Sequence, residues 1–454
     1  MLNGTVTRWV VVLLYLAILC VLNYGIARHE TVPLIVTYIF AFGIYLFVVK
    51  RADERTLSFW MYGAFAIRIA LLFSVPNLTE DFYRFLWDGR LTAGGFHPLS
   101  HPPSYYIENN ITVSGIDAEL YDRLNSKTYY SVYPPIAQLL FWICAEVSSN
   151  VSGSLLWFKV LIMAADVGVV LIMKNLLGTL KMNTSNVLLY ALNPLVLIEI
   201  AGNAHYESVM IFLLLLTFYF FLREKTGIAS WAFALSVCTK LLPVMFLPAF
   251  WHLLGKRRAI AFYVATAGIC VILFLPYSNQ LAIDGMTNSL GYYFSRFEFN
   301  ASLYYLAREI GYLVAGFNII QIAGTALALV SALLILRISF NPTNYNTAAH
   351  TTQDRLSFSF QTILWVMTIY LLFATTVHPW YIITLLAISI FTPFRFVILW
   401  TLMIFLTYAG YTTDGYLENL GVVALEYAVV IAYMLFELSQ RKYLVRSDLP
   451  INRQ

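Results

Sequence analysis

The sequence predicts an all-α, polytopic membrane protein, a bundle of about twelve spanning helices with one re-entrant hairpin. Three observations predict it. Of 454 residues, 60% are hydrophobic and 11% charged, whereas soluble domains carry about 25% charged residues. The apolar residues fall in long runs, at 9–26, 33–49, 57–75, 259–277, 317–336 and 419–436, which approach or reach the roughly 20 residues that cross a bilayer. The Lys and Arg residues cluster in the polar gaps between runs, as they do in cytoplasmic loops. No soluble domain or linker interrupts the chain, so 1–454 reads as a single membrane domain. A net charge of +4 gives no footing for nucleic acid. Cys20, Cys144, Cys238 and Cys270 sit in apolar stretches as small core residues, with neither disulfide nor metal spacing.

The first run lacks a cleavage site and is followed at once by a second, so it reads as a retained helix rather than a signal peptide. Placing Lys50, Arg51, Arg55, Lys174, Lys181, Arg223, Lys225, Lys256, Arg257, Arg258, Arg441, Lys442 and Arg446 inside threads the chain. Three spans carry residue 76 outside, and the loop 76–132 is extracytoplasmic. Its seven acids outnumber its four bases. If 133–147 crossed the membrane, Lys174 and Lys181 would fall outside. It therefore reads as a juxtamembrane helix opened by Pro134 and Pro135, and 76–150 forms one extracytoplasmic unit. Spans follow at 155–175, 186–200 and 208–222, with 201–207 outside. Between Arg223 and Lys256 the run is too short for two crossings and is broken at Lys240. A re-entrant hairpin with Lys240 at its outer apex meets both ends. Beyond it lie an outer loop at 278–302, a span at 317–337, a polar inner stretch at 338–358, and spans at 360–376, 380–393, 396–411 and 419–439. Both termini are then inside.

On this threading the unusual polar residues gather on the outer face: EDFYRFLWDGR at 80–90, GGFHPLSHPP at 94–103, Tyr133, then Asn203, His205 and Glu207, then Lys240, then His378, Trp380 and Tyr381. Acids, a lysine, histidines and aromatics from distant segments at one depth are how a shared cavity looks. Each also has a plainer reading. Asp81 serves equally as a helix N-cap or a partner of Arg84. Asp88 and Gly89 make an ordinary turn, with Asp88 paired to Arg84 or Arg90. Trp87, Trp380 and Tyr381 suit an interfacial aromatic belt. Asn203, His205 and Glu207 suit helix caps. Lys240 is harder to dismiss, because charges at membrane depth are costly. Arg68 and Asp166 read as structural partners within the bundle. Arg296 and Arg308 suit either an anion or solvent.

An Asp at the outer end of an early span, then Y-R-x-x-W-D-G-R, G-G-F-x-P and Y-P-P-I-A-Q, resembles the GT-C glycosyltransferases. More narrowly it is similar to bacterial polyprenyl-phosphate-mannose-dependent mannosyltransferases, and distantly to the catalytic subunit of GPI mannosyltransferase I. LNPLVLIEIAGN at 192–203, KLLP at 240–243 and HPWY at 378–381 follow in the family's order. The resemblance covers about 57 to 400 and implies a GT-C-type bundle. It implies a polyprenyl-phosphate sugar donor, a glycolipid or glycan acceptor, and an acid on the first large loop as base. By position that acid is Asp81, with Glu80 the neighbour able to share or replace its role. Mannose as the transferred sugar, and a bacterial inner membrane with the site facing the exterior, follow from the resemblance alone.

A sugar phosphate already carries a leaving group. The enzyme then needs a base at the acceptor hydroxyl, cations at the departing phosphate and alignment of both substrates. The expected roles are Asp81 as base in an inverting displacement, and Lys240, His378 and Arg296 at the phosphate. Arg84, Trp87, Asp88, Tyr133, Asn203, His205, Glu207, Trp380 and Tyr381 are expected at the substrates, Arg84 and Asp88 by organising the loop. No cofactor and no metal is expected. A transporter or flippase of polyprenyl-linked glycans is the main alternative, and a silent subunit of a glycosylation complex the second. Polar groups confined to one face favour an enzyme over a transporter.

Overall fold

The computed structural model describes residues 4–341 and 351–447. Helices α1 (Thr5–Cys20, continued by a π-turn to Gly25), α2 (Thr31–Arg51) and α3 (Leu57–Leu71) lead into α4 (Asp81–Ala93). Short helices α5 (Pro103–Glu108) and α6 (Ala118–Asp122) precede α7 (Pro135–Val147) and α8 (Val151–Thr179). Next come α9 (Leu188–Ala191) and α10 (Pro194–Val196), the latter running into a π-turn at Leu197–Gly202. Then follow α11 (Glu207–Leu222), α12 (Thr226–Thr239), a 3-10 segment (Leu242–Ala249), α13 (Phe250–Leu254) and α14 (Lys256–Phe274). The last part holds α15 (Gln280–Ser295), α16 (Leu303–Ala315), α17 (Ile320–Phe340), α18 (Thr352–Phe373), α19 (Tyr381–Ser389) and α20 (Phe396–Met403). A two-residue hairpin, β1 (Tyr411–Thr412) with β2 (Gly415–Tyr416), stands before α21 (Leu420–Ser447). Residues 342–350 of the expected polar stretch lie outside the described residues.

The chain is a multi-pass membrane protein. Among the described residues, seven helices are long and apolar enough to cross a bilayer, and a bent pair at 184–202 makes an eighth. Apolar helices of 10–17 residues, such as Pro135–Val147 and Thr226–Thr239, pack among them. Lipid-facing apolar side chains stay exposed, for example Leu333 and Ile322 on α17, while the interior is continuous from Tyr15 to Val430.

The segment expected as a straight span at 186–200 is bent by 50° between α9 and α10. The cause is Pro194, which has no N–H for the preceding turn. The break frees backbone carbonyls where no water reaches them, and each needs a donor. Tyr45 Oη donates to Leu189 O at 2.9 Å, Arg68 Nη1 to Ala191 O at 2.8 Å, and Tyr15 Oη to Leu192 O at 2.6 Å. Asn193 Oδ1 caps the restarted helix at Leu195 N, 3.0 Å away. Arg68 is fixed in turn by Asp166, Nε to Oδ2 at 2.6 Å, and Tyr190 Oη donates to Asp166 Oδ1 at 2.7 Å. The expectation that Arg68 and Asp166 are structural partners holds. Fully buried Lys159 on α8 caps α3, its Nζ donating to Leu71 O at 2.8 Å and Ser74 O at 2.7 Å.

Two expectations change. Asp88 and Gly89 are not a turn; both lie inside α4. Glycine is required there by close packing, because a Cβ on Gly89 would stand 2.2 Å from the Phe141 carbonyl oxygen on α7. The segment 278–302, expected as an outer loop, contains a helix, α15.

Gly89→Ala must push α4 from α7 and is expected to cost about 1–3 kcal/mol, as overpacking does. A lowered thermal midpoint of the detergent-purified protein would show it; an unchanged midpoint would mean that the two helices do not meet at Gly89.

Candidate active site

Asp81 occupies the first turn of α4, where the helix's unpaired N–H groups favour a negative charge. It remains about a quarter exposed, with a side-chain accessibility of 26%. Asn125 Nδ2 donates to its Oδ1 at 2.9 Å, and His205 Nε2 lies 3.9 Å from its Oδ2. Glu80, one residue earlier, turns elsewhere: Arg28 Nη1 donates to Glu80 Oε2 at 2.8 Å, and the Arg28 guanidinium sits 4.2 Å from the centroid of the Tyr411 ring. Of the two adjacent acids, only Asp81 lines the main cavity.

That cavity, of about 530 Å³, gathers residues from six separate segments. Asp81, Tyr133, His205, Glu207, Lys240, His378, Trp380 and Tyr381 all line it. Its apolar lining includes Leu241, Leu242 and Met245, together with Gly324, Ala328, Ala332 and Ile335 of α17. The last four share one face of α17 and span about 16 Å at 1.5 Å per residue.

The histidines differ in charge. His205 lies in the connection between the π-turn and α11 and is almost fully buried. Burial alone would lower its pKa, but Asp81, Glu199 and Glu207 around it raise it to about 9. For Asp81, burial pushes upward, and the protonated His205 with the Asn125 amide overcomes that and holds the carboxyl below its ordinary range. His378 is lowered by burial to about 3, with Lys240 and His205 adding to the effect. His378 is therefore neutral at physiological pH in the surroundings that the protein itself provides. The three rings His205, Trp380 and His378 stack, with centroids 3.8 Å and 4.4 Å apart.

Lys240 adopts extended backbone between α12 and the following 3-10 segment. Its Nζ pairs with Glu207 Oε1 and stands 4.8 Å from the centroid of the Tyr381 ring. The other oxygen of Glu207, Oε2, is buried without a partner among the described residues. Tyr133 packs edge-on to Phe85 and Tyr206, both also on the cavity.

Five further expected residues lie off the cavity. Asp88 is fully buried, accepting from Arg84 Nε at 2.9 Å, from Ser131 Oγ and from Gln138 Nε2 at 3.1 Å. Arg84 Nη1 donates to Ser126 O at 3.0 Å and Tyr129 O at 2.8 Å. Together they staple the loop 126–138 onto α4, an organising role. Trp87 is fully buried between Tyr106 and Tyr121 and forms no wall of the cavity. Arg296 lines a separate recess with residues 317–322. Asn203 stands behind the cavity. Its Oδ1 accepts from Leu78 N at 3.2 Å, which anchors the approach to Asp81.

Three residues went unread in the sequence: Asn125, Glu199 and Tyr408. Glu199 is the informative one, an acid inside an apolar run and so functional by default. Among the described residues no group of three or more His, Cys, Asp or Glu side chains is arranged to hold a metal.

The family described as alpha-(1->6)-mannopyranosyltransferase, N-terminal domain, matches residues 8–256, more than half of the chain. No curated protein matches.

Proposed function

Since the chain belongs to the alpha-(1->6)-mannopyranosyltransferase family, we propose that it moves mannose from a polyprenyl-phosphate mannose to a glycolipid or glycan acceptor, with Asp81 as base. Mannosyl transfer follows from the family itself. The donor, the mechanism and the face of the membrane are our reading. The observation that carries it is the single cavity in which the Asp81 carboxylate and the Lys240 ammonium share a space with about 16 Å of apolar α17 face. An amphiphilic donor fits such a space: sugar and phosphate at the charged groups, isoprenoid along the helix. A nucleotide sugar would leave the apolar face empty.

In this reading the acceptor hydroxyl lies within hydrogen-bond reach of Asp81, which takes its proton as the acceptor oxygen bonds to the anomeric carbon. The bond from that carbon to the phosphate oxygen breaks on the opposite side. Lys240 exchanges part of its pairing with Glu207 for the departing phosphate, where negative charge grows. Glu207 then keeps an oxygen free to accept from a sugar hydroxyl. Inversion with formation of an α-linkage requires the β-anomer of the donor. The positive-inside threading puts the cavity on the extracytoplasmic face of about twelve spans, the shorter apolar helices completing the count, with the hairpin turning at Lys240 and the site facing out of a bacterial inner membrane.

Asp81→Asn preserves shape and the Asn125 contact but removes the base. Transfer from labelled polyprenyl-phosphate mannose by purified protein is expected to fall by about 10²–10⁴, the usual worth of a general base. Wild-type-like transfer by that variant would exclude Asp81 from the role.

Lys240→Gln is expected to raise the donor KM and lower kcat together, because the phosphate gains charge as it leaves. Lys240→Arg should recover part of the loss. Unchanged donor kinetics in Lys240→Gln would remove the lysine from the phosphate site.

Activity is expected to persist in excess EDTA. Loss in EDTA that a divalent cation reverses would show that a metal takes part.

A further inference from the structure

Glu199 has no part in the mechanism above, yet it is fully buried and stands beside His205, the neighbour of Asp81. Its Oε2 lies 3.1 Å from His205 Nδ1, and the other ring nitrogen, Nε2, lies 3.9 Å from Asp81 Oδ2. Tyr408 Oη donates to Glu199 Oε1 at 2.6 Å, and Asn203 Nδ2 to its Oε2 at 3.4 Å. The imidazole thus lies between two carboxylates at ion-pair distance from each, neither ring nitrogen in hydrogen-bond geometry among the described residues, while Trp380 covers one of its faces at 3.8 Å between centroids.

Resting on the reading of Asp81 as base, we propose that Glu199 is a positioning residue for mannosyl transfer. Acting through His205, it completes a carboxylate–imidazolium–carboxylate row that aims Asp81 at the acceptor hydroxyl.

The chemistry follows from donor counting. A protonated imidazole has two N–H donors and a neutral one has a single donor. Between two carboxylates the protonated ring satisfies both sides. The neutral ring turns a lone pair toward one of them, and the row repels itself. The charges facing His205 are Asp81 from α4, Glu199 from the π-turn, Glu207 from the start of α11, Lys240 after α12, and neutral His378 beside Trp380, with Tyr408 behind Glu199. Three carboxylates against one ammonium keep the ring charged well above neutrality. During transfer the acceptor's proton goes to Asp81 and the electron pair of the cleaved bond leaves with the polyprenyl phosphate. His205 keeps both protons throughout. It is neither the base nor a relay, and its charge keeps Asp81 ionised and oriented.

The sign is definite. Asp81 must be ionised and His205 protonated, so kcat should hold from the depressed Asp81 pKa up to about 9 and fall above it. Removing the Glu199 charge removes the inner carboxylate, and the alkaline limb should move down by about two pH units, toward the ordinary histidine value near 6.5.

The test is the pH profile of kcat for the full-length protein in lipid nanodiscs, between about pH 5.5 and 10. Synthetic polyprenyl-phosphate mannose serves as donor and an α-(1->6)-linked mannoside as acceptor. Glu199→Gln, which keeps both outer hydrogen-bond partners available, should show the shifted limb. His205→Gln should lower the rate and lose that limb altogether. Tyr408→Phe should shift it by less than Glu199→Gln. A limb that stays in place in Glu199→Gln, or survives in His205→Gln, overturns the proposal, and either variant decides the matter if the other does not fold. If Asp81→Asn is inactive while these profiles do not move, only the positioning role fails. If Asp81→Asn is active, the reading beneath it fails as well.

Discussion

The structure depends on a broken helix that stays hydrogen-bonded inside the membrane. At Asn193 and Pro194 the backbone ladder stops, and three side chains from α1, α2 and α3 supply the missing donors. Exposed carbonyls in hydrocarbon would cost several kcal/mol each. The bend lets the chain turn within the bundle and bring His205 to the cavity, with Glu199 and Asn203 behind it. Asn203 reaches across to the backbone of Leu78, and Ser74 Oγ donates to Gly202 O at 3.4 Å. The segment leading to Asp81 is thereby attached to the same corner. Asp81 and His205 are placed by one backbone feature rather than by two independent loops.

A second constraint is electrostatic. Charged groups at this depth persist only with partners, and the pairings divide the site by task. Arg68 with Asp166, and Arg84 with Asp88, are nearly sealed from solvent and hold helices and loop. Lys240 keeps 23% and Asp81 26% of side-chain exposure, and both open on the cavity. Glu80 is diverted to Arg28, which leaves Asp81 as the one of the adjacent pair that faces the shared space. The partly exposed members of otherwise satisfied pairs are the ones left free to exchange a protein partner for a substrate.

Much of this was legible in the sequence. Run length marked α1, α2, α3, α8, α14, α17 and α21, and the Pro-Pro pair marked the start of α7. Lys240, His205 and His378 line one cavity with Asp81, whereas Asn203, expected with them, stands behind it. What was not legible depended on direction. Trp87 and Asp88 sit in the same dense block as Asp81, and composition does not show which face of α4 each occupies. Asp81, Arg84 and Asp88 recur at helical spacing, so a helix through Gly89 was available as a reading. Glu199 was passed over because it lies in a run that reads as a plain span. Pro194, five residues earlier, carried the signal that the span is interrupted. Arg296 belongs to a segment expected on the same face as Asp81, but lateral distance within a face leaves no trace in a one-dimensional pattern.

The most direct test of the central claim is the position of a bound donor, read as density in a complex of the Asp81→Asn variant with polyprenyl-phosphate mannose. The account predicts the phosphate within hydrogen-bond reach of Lys240, the anomeric carbon facing residue 81, and the isoprenoid along the Gly324–Ile335 face of α17. A donor bound in the recess beside Arg296, or with its phosphate on the opposite membrane face, would contradict it.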